Sequence, residues 1–363
     1  MEESTKKVLR VLGVVAIIVI IIVLLIYFLV IKKKEKKSCG DIPMDLNCGE
    51  NEEEKCNKFT DFKWECQKVN PLKEVKVGVP YDSKREYNMD IYIPKSPNEK
   101  GLLLVHGGGL VKGSRTAERE VSICLDFVAK GFHVFSIDYK IGNDSYPENI
   151  TNVLDATNYI NTNYKDLEMS IIGLSAGATL VLTSVLKNKK LSESFKNVIS
   201  LYGITSPLDR TYIDDKGNHG KGEFRSGHMH DVLGTSRCVS CKSKTPHYKK
   251  DKKYCKDTDS HKRKLHCVSK AWKDFSPVEN INKNTKITNI ILVQGMKDKI
   301  VNPEQPLIFK NKINKVAPKF TNNIKTIFVE QGAHGFDLKK NRDGTDLYKD
   351  PKELINSILL LMK

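Results

Sequence analysis

The sequence predicts an α/β domain built on a mostly parallel sheet with helices on both faces. Three observations predict it. From about Val75 onward, short apolar runs alternate with longer stretches whose apolar residues recur at helical spacing. The run LLLV before His106 is continuously apolar and ends in glycines, as a strand covered on both faces should be. Glycine or proline punctuates most of the junctions. Of the 363 residues, 39% are hydrophobic, enough for a real core and too many for general disorder.

The elements follow in order. Residues 1–10 form a short polar tail. Residues 11–31 are an unbroken apolar stretch without charge, long enough at about 1.5 Å per residue to span a hydrocarbon core of about 30 Å. It runs straight into KKKEKK with no small-residue cleavage site, which predicts an uncleaved signal anchor and a single-pass membrane protein. Residues 32–70 form a charged, Cys-rich stalk. Residues 71–363 form the α/β domain, opening with strands in KVGVPYD and YNMDIYIP and continuing through LLLVH. A helix is expected from Thr116 to Lys130, a strand in FHVFSIDY, and a helix opened by Pro147. MSIIGLS then reads as a strand, AGATLVLTSVLK as a helix and KNVISLYG as a strand. Residues 204–275 lose the rhythm and read as a basic insertion over the C-terminal ends of the strands. Two further strands, TNIILVQG and IKTIFVEQG, flank a helix from Pro303, and a last helix runs from Pro351 to Met362.

Four sites in this frame carry chemistry. Gly173-Leu174-Ser175-Ala176-Gly177 lies between an apolar strand and a helix, where a tight turn can hold a serine hydroxyl beside a base. His106-Gly107-Gly108-Gly109 ends an earlier strand, and its bare backbone can aim N–H groups at one oxyanion. Asp298 follows one strand in GMKDKIV and His334 follows the next in GAHGF. The order Ser, Asp, His, each past a strand's C-terminal end, predicts Ser175 as nucleophile, His334 as base and Asp298 as the acid that orients it. Gly108, Gly109 and Ala176 are the expected oxyanion donors, with His106 and Gly107 as structural parts of the loop.

HGGG, the strand ending Asp138-Tyr139, GLSAG, Ser276-Pro277, GMKDKIV and GAHGF together resemble the α/β-hydrolase esterases of the hormone-sensitive-lipase and carboxylesterase-like groups. Feruloyl-esterase-like and kynurenine-formamidase-like enzymes share the pattern. The resemblance covers about Val75 to Met362 and implies an α/β-hydrolase fold and a small-molecule or lipid ester as substrate. With the anchor, the layout resembles that of arylacetamide deacetylase. Two departures stand out. Leu174 occupies a position where many relatives carry an acid, and residues 204–275 have no counterpart.

The nine cysteines fall into Cys39, Cys48, Cys56 and Cys66, then Cys238, Cys241, Cys255 and Cys267, with Cys124 alone. Two local disulfide sets are expected. Zinc held with nearby histidines, or free thiols, stays open for the second group. Cys124, at helical spacing with apolar neighbours, is expected to be a buried small hydrophobe. Lysines flank both ends of the apolar stretch and are denser after it, which favours a cytosolic body. Clustered cysteines and sequons at Asn143 and Asn149 favour a body in the ER lumen or outside the cell, and the cysteines weigh more. The formal charge of +16 comes without any nucleic-acid-binding motif, so no nucleic-acid partner is expected. The expected activity is carboxylic ester hydrolysis without cofactor or active-site metal. An aryl-formamidase or other amidase on the same residues, and a non-catalytic binding ectodomain, are the alternatives.

Overall fold

The computed structural model describes residues 70–207, 273–286, 288–336 and 351–362, together with the backbone of four strands at 52–57, 63–68, 211–213 and 219–221. The chain divides into two units, Met1–Asn70 and Pro71–Lys363. In the first, β1 (Glu52–Asn57) and β2 (Lys63–Lys68) pair antiparallel. Their register sets Lys55 opposite Glu65 and Glu52 opposite Lys68. The same register sets Cys56 opposite Trp64 and Cys66 opposite Glu54. The stretch at 11–31, Cys39, Cys48 and all four cysteines of the second group lie outside the described residues. No helix among the described residues is long and apolar enough to cross a membrane.

The second unit holds an eight-stranded sheet. Its strands are β3 (Leu72–Pro80), β4 (Asn88–Pro94), β5 (Lys100–Val105), β6 (His133–Ile137), β7 (Glu168–Leu174), β8 (Asn197–Leu201), β11 (Asn289–Gly295) and β12 (Ile324–Val329). The short β9 (Thr211–Ile213) and β10 (His219–Lys221) pair with each other elsewhere. The order is β12-β11-β8-β7-β5-β6-β4-β3, parallel from β12 to β6, with β4 and β3 antiparallel at one edge. Residues of β7, β8 and β11 are buried almost throughout, which is why those runs lack alternation in the sequence. Edge strand β3 is mostly accessible, and a bulge at Gly78 breaks its register.

Helices α2 (Glu148–Asn163), α3 (Ala176–Lys187) and α5 (Gln305–Val316) bury Val153, Ile160, Leu180, Val181, Phe309 and Ile313 on one face of the sheet. On the other face, α1 (Glu118–Val128) and α6 (Pro351–Leu361) bury Ile123, Phe127, Leu354 and Ile358. The three- and four-residue spacing of these side chains is what makes each segment a helix with one core face. The short α4 (Lys189–Ser194) starts at Asn188, whose side chain accepts from the backbone N–H groups of Lys190 and Leu191. Cys124 is fully buried on α1, and burial pushes its thiol well above the usual range.

One expectation needs correcting. Asn149 sits in the first turn of α2 and is fully buried, so the folded domain has no room for a glycan there. Asn143 lies on an exposed turn.

Candidate active site

Chain order on the sheet reverses about β5, with β6 on one side and β7 on the other, and such a switch opens a crevice at the strands' C-terminal ends. Ser175 stands there, between β7 and α3. Its backbone adopts φ 51 and ψ −116, a conformation that costs a non-glycine residue energy and lifts the hydroxyl out of the turn. The flanks explain the glycines. A Cβ on Gly173 would lie 2.5 Å from the carbonyl oxygen of Gly177, and one on Gly177 would lie 2.2 Å from that of His106. Strand β7, helix α3 and the end of β5 thus meet at backbone distance. Leu201 O, at the end of β8, accepts the Ser175 N–H at 2.9 Å and fixes the turn from a third side.

Ser175 Oγ lies 2.9 Å from His334 Nε2, and His334 Nδ1 lies 2.8 Å from Asp298 Oδ2. Because Nδ1 faces a carboxylate, it carries the ring proton, and Nε2 faces the hydroxyl as an acceptor. The Asp298 side chain is wholly buried, against 15% exposure for His334. Asp298 Oδ1 accepts the N–H groups of Ile300 and Val301 at 2.8 and 2.9 Å, and Gln294 Nε2 donates to Oδ2 at 3.0 Å. Every oxygen of the buried acid is therefore met by a donor. Two backbone bonds, Met296 N–H to Val329 O and Lys297 N–H to Gly332 O, both 2.9 Å, zip the acid's turn to the histidine's turn. A serine, an imidazole and a carboxylate in this sequence can carry a proton off the hydroxyl as it attacks an electrophile.

The glycine loop lies against this centre, since a Cβ on Gly107 would sit 3.5 Å from Ser175 Cβ. Gly108 and Gly109 adopt φ +111 and +67, and a Cβ on Gly108 would lie 2.0 Å from Lys112 O. Among the described residues nothing accepts from the N–H of Gly108 or Gly109. Ala176, as the first residue of α3, has no helical acceptor for its N–H either. His106 is buried and does not reach Ser175. Its Nδ1–H donates to Gly107 O at 2.7 Å, its ring stacks on Tyr139 at 4.2 Å, and Tyr139 Oη donates to His106 O at 2.9 Å. Burial holds its pKa below the ordinary value. Farther along the loop, Arg115 is clamped by Asp90 at 2.8 Å and by Asp138. Glu120 Oε1 accepts Gly107 N–H at 3.4 Å.

The structure thus brings together Ser175, Asp298, His334, Gly107, Gly108, Gly109 and Ala176. Sequence reasoning missed Glu120, Gln294 and Arg115, which carry no signal until the chain is folded. Asp138-Tyr139 was visible as a strand end but not as the support of the loop.

The family model BD-FAE matches residues 89–313, more than half of the chain. This chain belongs to the BD-FAE family. The matched stretch holds the glycine loop, Ser175 and Asp298. This BD-FAE protein is also 30% identical over 108 residues to a kynurenine formamidase of Scheffersomyces stipitis. That match spans 28% of this chain and two fifths of the relative's length, 40%. A truncated carbohydrate esterase from gut microbiota superposes with TM-score 0.56 at 18% identity, covering 80% of this chain and 96% of that one. The Pyrobaculum calidifontis esterase gives 0.51 at 16%, covering 80% and 87%. Carboxyl esterase 2 of Tuber melanosporum gives 0.51 at 16%, covering 80% and 86%. These likenesses show that the BD-FAE protein has the α/β-hydrolase fold.

Proposed function

We propose that this protein is a serine hydrolase of carboxylic esters that works through an acyl-enzyme on Ser175. The observation that carries the reading is the hydrogen-bonded line Ser175–His334–Asp298 at a strained turn. In this mechanism Ser175 Oγ attacks the ester carbonyl carbon while His334 Nε2 takes its proton. The N–H groups of Gly108, Gly109 and Ala176 bind the oxygen that becomes negative. His334 returns the proton to the departing alcohol, leaving the acyl group on Ser175. A water, deprotonated by His334, then releases the acid. Asp298 keeps Nδ1 protonated and stabilises the imidazolium formed in both halves. The esterases that share the fold support an ester as substrate.

A second reading is favoured by the formamidase relative: hydrolysis of an N-formyl arylamine by the same residues. We further propose that residues 11–31 anchor the protein in a membrane with its body in the ER lumen or outside the cell. The apolar stretch and the clustered cysteines support this, whereas the sequon at Asn149 no longer does.

The test is to label the protein with a fluorophosphonate and assay nitrophenyl esters of graded acyl length beside an N-formyl arylamine. Ser175→Ala should abolish both label and turnover while melting like the wild type. A folded Ser175→Ala variant that still hydrolyses esters near the wild-type rate would overturn the assignment. Faster turnover of the formyl amide than of every ester would select the second reading.

A further inference from the structure

Tyr202 is the first residue beyond β8 and is fully buried. Its backbone has φ 43, a left-handed conformation that bulky side chains rarely adopt. Its ring meets that of His334 edge to face, with centroids 4.9 Å apart and planes at 66°. The same ring meets Phe336 at 5.3 Å and 80°.

The two hydrogen bonds of His334 leave something unsettled that this contact settles. One bond joins Nε2 to Ser175 Oγ and the other joins Nδ1 to Asp298 Oδ2. Both attach near the ends of a single line through the ring. They hold the two nitrogens at rest, but in turnover Nε2 must exchange the hydroxyl for the leaving group, and in that interval only the Nδ1 bond and the side-chain torsions place the ring. A ring that turns about its Cβ–Cγ bond in that interval carries Nε2 out of line with the hydroxyl and with the leaving group. Packing against the ring face or edge is what stops the turn, and Tyr202 supplies it.

The backbone at Tyr202 is built to hold the ring in that place. Its N–H donates to Val293 O of β11 at 2.7 Å. The preceding carbonyl, Leu201 O, accepts the N–H of Ser175. The following residue, Gly203, is so close to α3 that a Cβ would lie 2.7 Å from Ala178 Cβ. A strained residue held on three sides is a device rather than an accident of packing. Residues 201–203 thus join the nucleophile's turn, the acid's strand and the histidine's ring.

We propose that Tyr202 is a positioning residue that locks the imidazole of His334 in the plane needed for proton transfer; this rests on the reading of Ser175 and His334 given above. Its action is on the transition state, because the substrate need not touch it. Deleting the ring should therefore lower kcat and kcat/KM together and leave KM in place.

The experiment compares wild type, Tyr202→Met and Tyr202→Phe on a short activated ester, with cooperative melting checked for each. Met fills similar volume but offers no ring edge, whereas Phe keeps the ring. Tyr202→Met should lose about three- to tenfold in kcat, the scale of one edge-to-face contact. Tyr202→Phe should regain most of that loss. If Met prevents folding, Tyr202→Leu makes the same deletion. A kcat equal to wild type in the ring-free variant, a loss confined to KM, or an equal loss in Tyr202→Phe would each overturn the proposal. Fluorophosphonate labelling of the wild type is run beside these assays. Absence of label would instead remove the Ser175 reading on which the proposal stands.

Discussion

At the scale of single residues, His106 shows how a part of the site that never touches Ser175 sets the protein's tolerance of acid. It is buried under the glycine loop, and burial lowers its pKa below the ordinary 6.5. Below about pH 6.5 the unfolded chain takes up a proton that the folded protein refuses, so stability falls as pH falls. His133 is shifted in the same direction by burial and adds to the slope. We expect His106→Asn to flatten the dependence of the urea midpoint on pH between about pH 7.5 and about pH 5.5, whatever it does to the midpoint itself. An unchanged slope would mean that His106 protonates equally in both states. Ser175, Asp298 and His334 were legible in the amino-acid sequence because each follows an apolar run. Tyr202, Glu120 and Gln294 were not, because their roles exist only through neighbours distant in sequence. Asn149 shows the limit from the other side: a sequon is a local pattern, and burial is decided elsewhere.

At the scale of elements, the junction of β7, α3 and β5 carries the most constraint per residue. A Cβ on Gly177 would lie 2.2 Å from His106 O and 2.4 Å from Val105 O, both backbone atoms that cannot swing aside. Gly177→Ala must push α3 away from the end of β5, and overpacking of this kind costs about 1–3 kcal/mol. The expected result is a lower midpoint in chemical denaturation together with reduced ester turnover, because the glycine loop that borders Ser175 begins at His106. Full activity at wild-type stability would show that α3 can shift freely. The parallel strands were legible here because burial on both faces leaves continuous apolar runs. The helices were found with ends displaced by a few residues, as in α1, observed at Glu118–Val128. The pairing of β1 with β2 was not legible, because its strands are short, charged and unmarked by apolar alternation.

At the scale of the whole molecule, the division falls between Asn70 and Pro71. The entire site, from His106 to Phe336, belongs to the second unit. A protein comprising residues 71–363 is therefore expected to fold and to hydrolyse a soluble ester with the kcat of the full chain, measured by stopped assay on purified material. A truncated protein that melts cooperatively but has lost turnover would give the first unit a part in catalysis. Within the second unit the described residues before 208 and after 272 are tied together. Gln305 Oε1 accepts the N–H groups of Thr205 and Ser206, both at 2.7 Å, and Val278 N–H donates to Thr205 O at 3.0 Å. Strands β8 and β11, on either side of 208–272 in the chain, are direct neighbours in the sheet. The spread of the site along the chain also governs when it comes into being. Ser175 and His334 are 159 residues apart. At a synthesis rate of about 5–20 residues per second, the ribosome makes the histidine roughly 8–30 s after the serine. Under the proposed mechanism the nascent serine has no base beside it through that interval, so the growing chain carries an unreactive hydroxyl through the crowded surroundings of its own birth.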